Sequence, residues 1–269
     1  MRFWMLASGS KGNCFVLKTA GAQIVIDCGT TRRYLTQSFR QIEVDWQQSD
    51  ALLLTHGHRD HISQLKMFSG VRTYASFDLS EELTGQRWVR PLESFCIGDI
   101  RVTPVPLSHD APCTVGYLLE TARTKLVYIT DTGYLRQDCL PLLKNADYYI
   151  MESNHDVGLL MKTSRPYPIK MRILSDSGHL CNEDCAALLS RLVGGRTRSV
   201  VLAHLSEEAN DPTLALETTV RRLRKENIAD GLSVSVAAQY EILEGGDRRE
   251  ETADSACLHS ALCAARRRD

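Results

Sequence analysis

The chain has 269 residues, 43% of them apolar and 24% charged, with a formal net charge of −1. That length can bury a sizeable core in one large domain or two small ones. The near-neutral balance excludes a globally basic nucleic-acid binder but leaves room for a local basic face. No apolar run approaches the roughly 20 residues of a membrane span. The apolar run near Met1 is also shorter than the about 7–15 residues of a secretory signal core. The nine cysteines are scattered and odd in number, without CxxC spacing, which argues against a disulfide framework. A reduced, cytoplasmic protein without membrane contact is expected.

Residues 2–7 and 13–18 read as strands joined by Ser8-Gly9-Ser10-Lys11-Gly12-Asn13, whose turn formers predict a hairpin. The same loop can present backbone N–H groups to a phosphate. A strand over 23–26 ends at Asp27, a carboxylate that either caps the strand or supports the histidine-rich loop at 55–61. Residues 30–42 have helical spacing, with Thr31 as N-cap and Tyr34, Leu35, Phe39 and Ile42 on one face. Then an apolar run leads through Thr55 into His56-Gly57-His58-Arg59-Asp60-His61. A buried strand meeting a helix start, with helical spacing over 60–68, delivers three imidazoles and a carboxylate to one small volume. These are ligand types for zinc, manganese and iron. A single histidine is usually an ordinary polar residue, a reading that four potential ligands in six positions strain.

Farther along, strands are expected over 71–76, over 95–105 with a break at Gly98-Asp99, and over 114–120, 125–130 and 148–151. A short helix is expected over 78–83. Residues 157–174 read as irregular and basic. Residues 182–192 form a helix with Asn182 as N-cap and Cys185, Ala186, Leu188, Leu189 and Leu192 on its apolar face. A strand over 200–203, a helix over 212–227 and strands over 232–236 and 240–243 complete the elements. Strands that first cluster and then alternate with helices predict mixed α/β sheets covered by helices. The globular region is expected to span 1–245. Residues 246–269 read as a polar, solvated or disordered extension with weak helical potential over 253–264.

Four apolar strands end in a metal-competent residue: Leu54 precedes His56, Leu107 precedes His109, Ile129 precedes Asp131 and Ala203 precedes His204. Ligands at strand ends on one edge of a sandwich can converge. The HxHxDH run followed by His109, Asp131 and His204 resembles the metallo-β-lactamase fold superfamily over about residues 1–245. The resemblance implies a four-layered αββα sandwich and two divalent metal ions. His56, His58 and His109 would hold one, Asp60, His61 and His204 the other, with Asp131 bridging. All the donors are nitrogen or carboxylate oxygen, so zinc, manganese and iron are all plausible. Two metals about 3.5–4 Å apart can lower the pKa of a shared water and clamp an in-line phosphoryl displacement.

Thr130-Asp131-Thr132-Gly133 resembles the bridging motif of ribonuclease Z-like phosphodiesterases. Together with the 8–13 loop, ESNHD at 152–156, RPYPIKMR at 165–172, GHLCN at 178–182 and LAHLSEEAN at 202–210, the pattern resembles the YycJ/WalJ group of bacterial DNA exonucleases. Cys181 departs from it, since a Ser is expected there. By this resemblance the chain is a metal-dependent phosphodiesterase acting on nucleic acid, a 5′-to-3′ exodeoxyribonuclease. Asp60 and Asp131 would orient the attacking water. His179, beside a helix N-terminus that favours anions, either donates a proton to the leaving oxygen or serves as a turn residue. His155 would support the site or bind phosphate. Lys162, Arg165, Lys170 and Arg172, interleaved with Tyr167 and prolines and with no acid among them, read either as a solvated face or as a nucleic-acid contact. On the second reading Arg165, Tyr167, Lys170 and Arg172 touch substrate. The alternatives are hydrolysis of a small thioester or lactone, a ribonuclease Z-like activity on RNA, and a metal-stabilised binding module without catalysis.

Overall fold

The structure, a computed structural model, describes residues 1–79, 85–228 and 231–247. Its first sheet begins with β1 (Arg2–Ala7), β2 (Cys14–Lys18) and β3 (Gln23–Ile26), paired antiparallel in sequence. From β3 the sheet continues in parallel through β4 (Ala51–Leu53), β5 (Thr73–Ala75) and β6 (Arg87–Trp88). The second sheet contains β7 (Phe95–Ile97), β8 (Ile100–Pro106), β9 (Val115–Glu120), β10 (Lys125–Ile129), β11 (Tyr148–Glu152), β12 (Ser199–Ala203) and β13 (Ser233–Val236) in consecutive spatial order. A last strand, β14 (Leu243–Gly246), returns to pair with β1 in the first sheet.

Successive strand residues point to opposite faces, and here both faces are buried. Phe3 and Met5 of β1 and Leu126 and Tyr128 of β10 meet in the core between the sheets. Trp4 and Leu6 point outward to α1 (Arg32–Gln41), whose Leu35 and Phe39 lie one turn apart on its inner face. Val127 and Ile129 point outward to α6 (Asn182–Leu192) and α7 (Pro212–Lys225). Thr31 caps α1 by accepting the Tyr34 N–H, as its position predicts. The layers run helix, sheet, sheet, helices, which is the αββα sandwich that the motif order implies.

Strand direction places the site. β3 and β4 run parallel. β10, β11 and β12 also run parallel, and β8 runs with β10 because both are antiparallel to β9. Their C-terminal ends therefore gather at one edge, where open α/β sheets bind ligands. Three polar residues just past those ends, Asp27, Asp131 and His204, have φ of 58°, 58° and 56°. Non-glycine residues seldom adopt that conformation, and here it turns each side chain off the strand toward its neighbours. Gly29 has a different reason: a Cβ there would overlap the Asp60 carbonyl, so only glycine lets the metal-competent loop close on β3.

Several boundaries differ from expectation. The 60–68 helix is broken into α2 (Arg59–Ile62) and a 3-10 turn at Leu65–Phe68. A short α3 (Leu140–Leu143) leads into β11. Residues 157–174 are not irregular but form α4 (Val157–Lys162) and α5 (Tyr167–Ile173). Pro166 and Pro168 sit at the cap and in the first turn of α5, where a missing N–H costs nothing. Asp156 caps α4 through the Leu159 N–H. The cap of α6 is Cys181 rather than Asn182, whose Oδ1 turns inward to accept Ser153 Oγ at 2.7 Å. The final strand is displaced to 243–246, and the Asp247 N–H donates to the Met1 carbonyl, so pairing passes the expected boundary at 245. Most of the helix expected over 78–83 and that expected over 253–264 lie outside the described residues. No helix among the described residues is long and apolar enough to cross a membrane.

Candidate metal centre

The first sheet supplies its part through one anchor. The fully buried Asp27 accepts the Thr55 N–H at 2.9 Å and holds His61 Nδ1 at 2.8 Å from Oδ2. With Nδ1–H donating to Asp27, His61 Nε2 is aimed into the site, 3.3 Å from Asp131 Oδ2 and 3.6 Å from Asp60 Oδ2. Burial opposes charge on His61, but the carboxylates of Asp27, Asp131 and Asp60 outweigh it and raise its pKa to about 10. His56 shows the opposite balance: burial, reinforced by the neighbouring His61, holds it neutral far below the usual range. Its Nδ1 lies 3.0 Å from Thr55 Oγ1. Asn13, from the 8–13 loop, places Nδ2 3.0 Å from His61 Nε2.

The second sheet supplies its part through separate strand ends. His109 follows β8 and points Nδ1 at the Gly178 carbonyl, 3.2 Å away, leaving Nε2 3.3 Å from His58 Nδ1. Asp131 follows β10, and its Oδ1 lies 3.4 Å from His204 Nδ1 and 3.8 Å from His179 Nδ1. Glu152, at the end of β11, ties the set together. Its Oε1 sits 2.8 Å from both His179 Nδ1 and His204 Nδ1, while Oε2 accepts the N–H groups of Thr132 and Leu180. Burial alone would raise Glu152, but His179 and His204 bring it down to about 2. Against the same burial, Asp131 and Glu152 lift His204 to about 9, and Glu152 raises His179.

The structure brings together all seven residues assigned as ligands. His56, His58 and His109 place donor atoms within 4.8 Å of one another, as do Asp60, His61 and His204, and Asp131 joins His56 and His61 in a further set. These donors fit divalent ions on a second ground. Buried His56 Nε2, His204 Nε2 and Asp131 Oδ2 have no hydrogen-bond partner among the described residues. Buried polar atoms are nearly always satisfied, so unpartnered atoms on three of the assigned ligands fit a cation site. The fold and these clusters suggest a dinuclear centre.

The candidate substrate residues divide. Arg165, Arg172 and His179 line a cleft of about 110 Å³ with His58, Asp60 and Asp131. Arg165 pairs with Glu208 at 2.8 Å, and Arg172 pairs with Asp110. Tyr167 projects into solvent, 64% exposed. Lys170 and His155 do not reach the cleft. The Lys170 ammonium is buried and donates to the carbonyls of Met161 and Thr163, both at 2.8 Å, closing the α4–α5 turn. His155 is fully buried beside Cys181, and burial lowers it to about 4. Sequence reasoning did not assign Asp27 or Glu152 a definite role at the site and passed over Asn13. Their signal, a polar residue just past a strand or in a turn, is common, and only the fold reveals the partners. A larger cavity, about 600 Å³, lies at the other end of the second sheet among Arg123, Asp147, Arg196 and Arg198. No metal-competent cluster lies there among the described residues, so volume does not locate the chemistry.

Residues 22–205 match the family model described as the Beta-lactamase superfamily domain. The chain is 33% identical over 249 residues to Exodeoxyribonuclease WalJ of Streptococcus pneumoniae strain D39, covering 87% of this chain and 93% of that protein. It is 32% identical over 243 residues to Exodeoxyribonuclease YycJ of Bacillus anthracis, covering 86% and 92%. Among solved structures, the metallo-β-lactamase fold protein YhfI from Bacillus subtilis matches with a TM-score of 0.64 at 18% identity, over 91% of this chain and 99% of that one, a likeness of fold. Sandwich, strand-end clusters and sequence agree: the chain belongs to the metallo-β-lactamase superfamily, in the group of the WalJ and YycJ proteins.

Proposed function

We propose that the protein is a metal-dependent phosphodiesterase that removes nucleotides from DNA ends, working 5′ to 3′. One observation carries the reading: two ligand sets meet at Asp131 beside a pair of buried Glu152 and partly exposed His179, in a chain 33% identical over most of its length to an exodeoxyribonuclease. His56, His58 and His109 would hold one ion and Asp60, His61 and His204 the other, with Asp131 between them. Such ions, zinc, manganese or iron, lower the pKa of water and neutralise charge on a phosphodiester. Asp60 orients the attacking water.

His179 supplies the proton. Glu152 occupies its Nδ1 and favours the charged form of the ring, which leaves Nε2–H as the donor for the leaving oxygen. Arg165 and Arg172, on the cleft wall, meet the flanking phosphates, and Tyr167 stacks a base. The test is digestion of DNA labelled at either end, RNA of the same sequence and a thioester, with each metal in turn. Release of mononucleotides from the 5′ end of DNA is expected, and turnover of the thioester or RNA alone would overturn the reading. His179→Ala should slow DNA cleavage about 10²–10⁴-fold while both metals stay bound, as counted by metal analysis.

A further inference from the structure

The turn between α4 and α5 is built as a rigid projection. Lys170 ties it from beneath through the carbonyls of Met161 and Thr163, and the Lys170 N–H donates to the Pro166 carbonyl at 3.2 Å. Pro166 and Pro168 flank Tyr167 and fix the backbone on either side. Tyr167 is 64% exposed, and Met171, one turn later on the same face, is 44% exposed. The two make an apolar ridge on a helix whose Arg172, the residue after Met171, lines the metal-centre cleft, as does Arg165, two residues before Tyr167.

Cations lie around this ridge: residues 157–175 include Lys162, Arg165, Lys170 and Arg172 and no acid, with Arg165 and Arg172 held by Glu208 and Asp110, which a phosphate can displace, and the Lys170 ammonium turned inward. A flat apolar surface framed by cations complements a polyanion with flat apolar faces, which describes the end of a nucleic-acid duplex better than the mixed surface of a protein. The cleft beside the ridge, about 110 Å³, is too small for a base pair. Opening a paired end would let one nucleotide enter alone and bring its terminal phosphodiester to Asp131 and His179.

Building on the nuclease reading, we propose that Tyr167, backed by Met171, is a wedge. The last base pair of a duplex end stacks on its ring while the terminal nucleotide is drawn between Arg165 and Arg172 into the cleft. Side chains wedged against base steps part them in this way elsewhere. The rigid mount matters, because a mobile tyrosine would follow the duplex rather than split it.

The test compares a blunt duplex with the same duplex carrying mismatched terminal nucleotides, which open unaided. In Tyr167→Ala the ratio of blunt-end to frayed-end cleavage should fall about tenfold, the scale of one lost base stack, and Tyr167→Trp should restore it. An unchanged ratio, with both substrates slowed alike or neither slowed, would overturn the wedge. So would a dimer of the wild-type protein that Tyr167→Ala dissociates in sedimentation, since the ridge would then be covered by a second copy. Failure of the wild-type protein to cleave either DNA is a separate outcome: it removes the nuclease reading and the wedge with it.

Discussion

In each sheet one buried carboxylate steadies the candidate ligands from behind, and the two, Asp27 and Glu152, differ in reach. Asp27 steadies a single loop, holding Thr55 and His61 within a run of sequence that already carries its ligands together. Glu152 steadies residues from three separate places: His204, His179 with Leu180, and Thr132, whose N–H follows Asp131. Local sequence does most of the positioning on the first side. On the second side His179, His204 and Asp131 lie far apart in the chain, and Glu152 is where they join. Loss of Glu152 should accordingly cost far more than loss of Asp27.

The largest effect is expected at Glu152. Glu152→Ala strands two buried backbone donors and leaves two histidines without their partner, costing about 3–5 kcal/mol of stability, measurable by denaturant unfolding. Glu152→Gln keeps the volume and separates folding from chemistry. Without the charge that raises His179, its proton is lost at lower pH, so the alkaline limb of the rate profile should move down. Turnover should fall about 10²-fold or more. A Glu152→Gln enzyme with wild-type rate and pH profile would reduce Glu152 to a structural strut and end the contrast with Asp27.

Asp27→Asn should weaken metal binding by only about 10–100-fold, the scale for a group that orients a ligand. Its pH dependence carries the sharper information. A metal needs His61 neutral at Nε2, but in the free protein His61 holds its proton to about pH 10, with Asp27 the strongest of the groups that keep it there. Wild-type affinity should therefore rise with pH up to about 10, with a proton released on binding. Removing the Asp27 charge relieves part of that proton competition. The deficit of Asp27→Asn should be widest at high pH and narrow toward pH 6 in metal titrations. A deficit independent of pH would mean that Asp27 acts on geometry alone.

The same contrast explains what was legible in the sequence. His56, His58, Asp60 and His61 declare themselves because six positions hold four donors. His109, Asp131 and His204 were found by their place at strand ends and by the order of the motifs. Glu152 ends a strand just as they do, but a glutamate after an apolar run has many ordinary uses, and its partners at 132, 179 and 204 are distant in sequence. Lys170 and His155 were misplaced for a related reason: composition marks a basic or polar stretch without saying which side chains turn inward. Lys170 closes a turn, and His155 is swallowed beside Cys181. Mixed sheets covered by helices were readable, because strands buried on both faces leave long apolar runs, and the four-layered sandwich came from the resemblance that the ligand motifs carry. The helices at 157–173 were missed because each is short, at six and seven residues, and the second opens on two prolines that sit where a helix tolerates them.

The smallest effect tests whether the α6 cap helps Glu152 to place His179. Cys181 begins α6 by accepting the Asp184 N–H at 3.4 Å, and because a thiol sulfur is a poor acceptor the cap is weak. Ser is the stronger capping residue, so Cys181→Ser should add about 0.5 kcal/mol and raise Tm by one or two degrees. His179 lies two residues before the cap, but its ring is held by Glu152 and the following Leu180 N–H by the same carboxylate. If Glu152 is the anchor, a better cap stabilises the helix without moving the ring, and turnover should stay within about twofold. A larger change in rate, in either direction, would show that the helix start sets the position of His179 together with Glu152. The work assigned to one carboxylate would then be shared with the helix behind it.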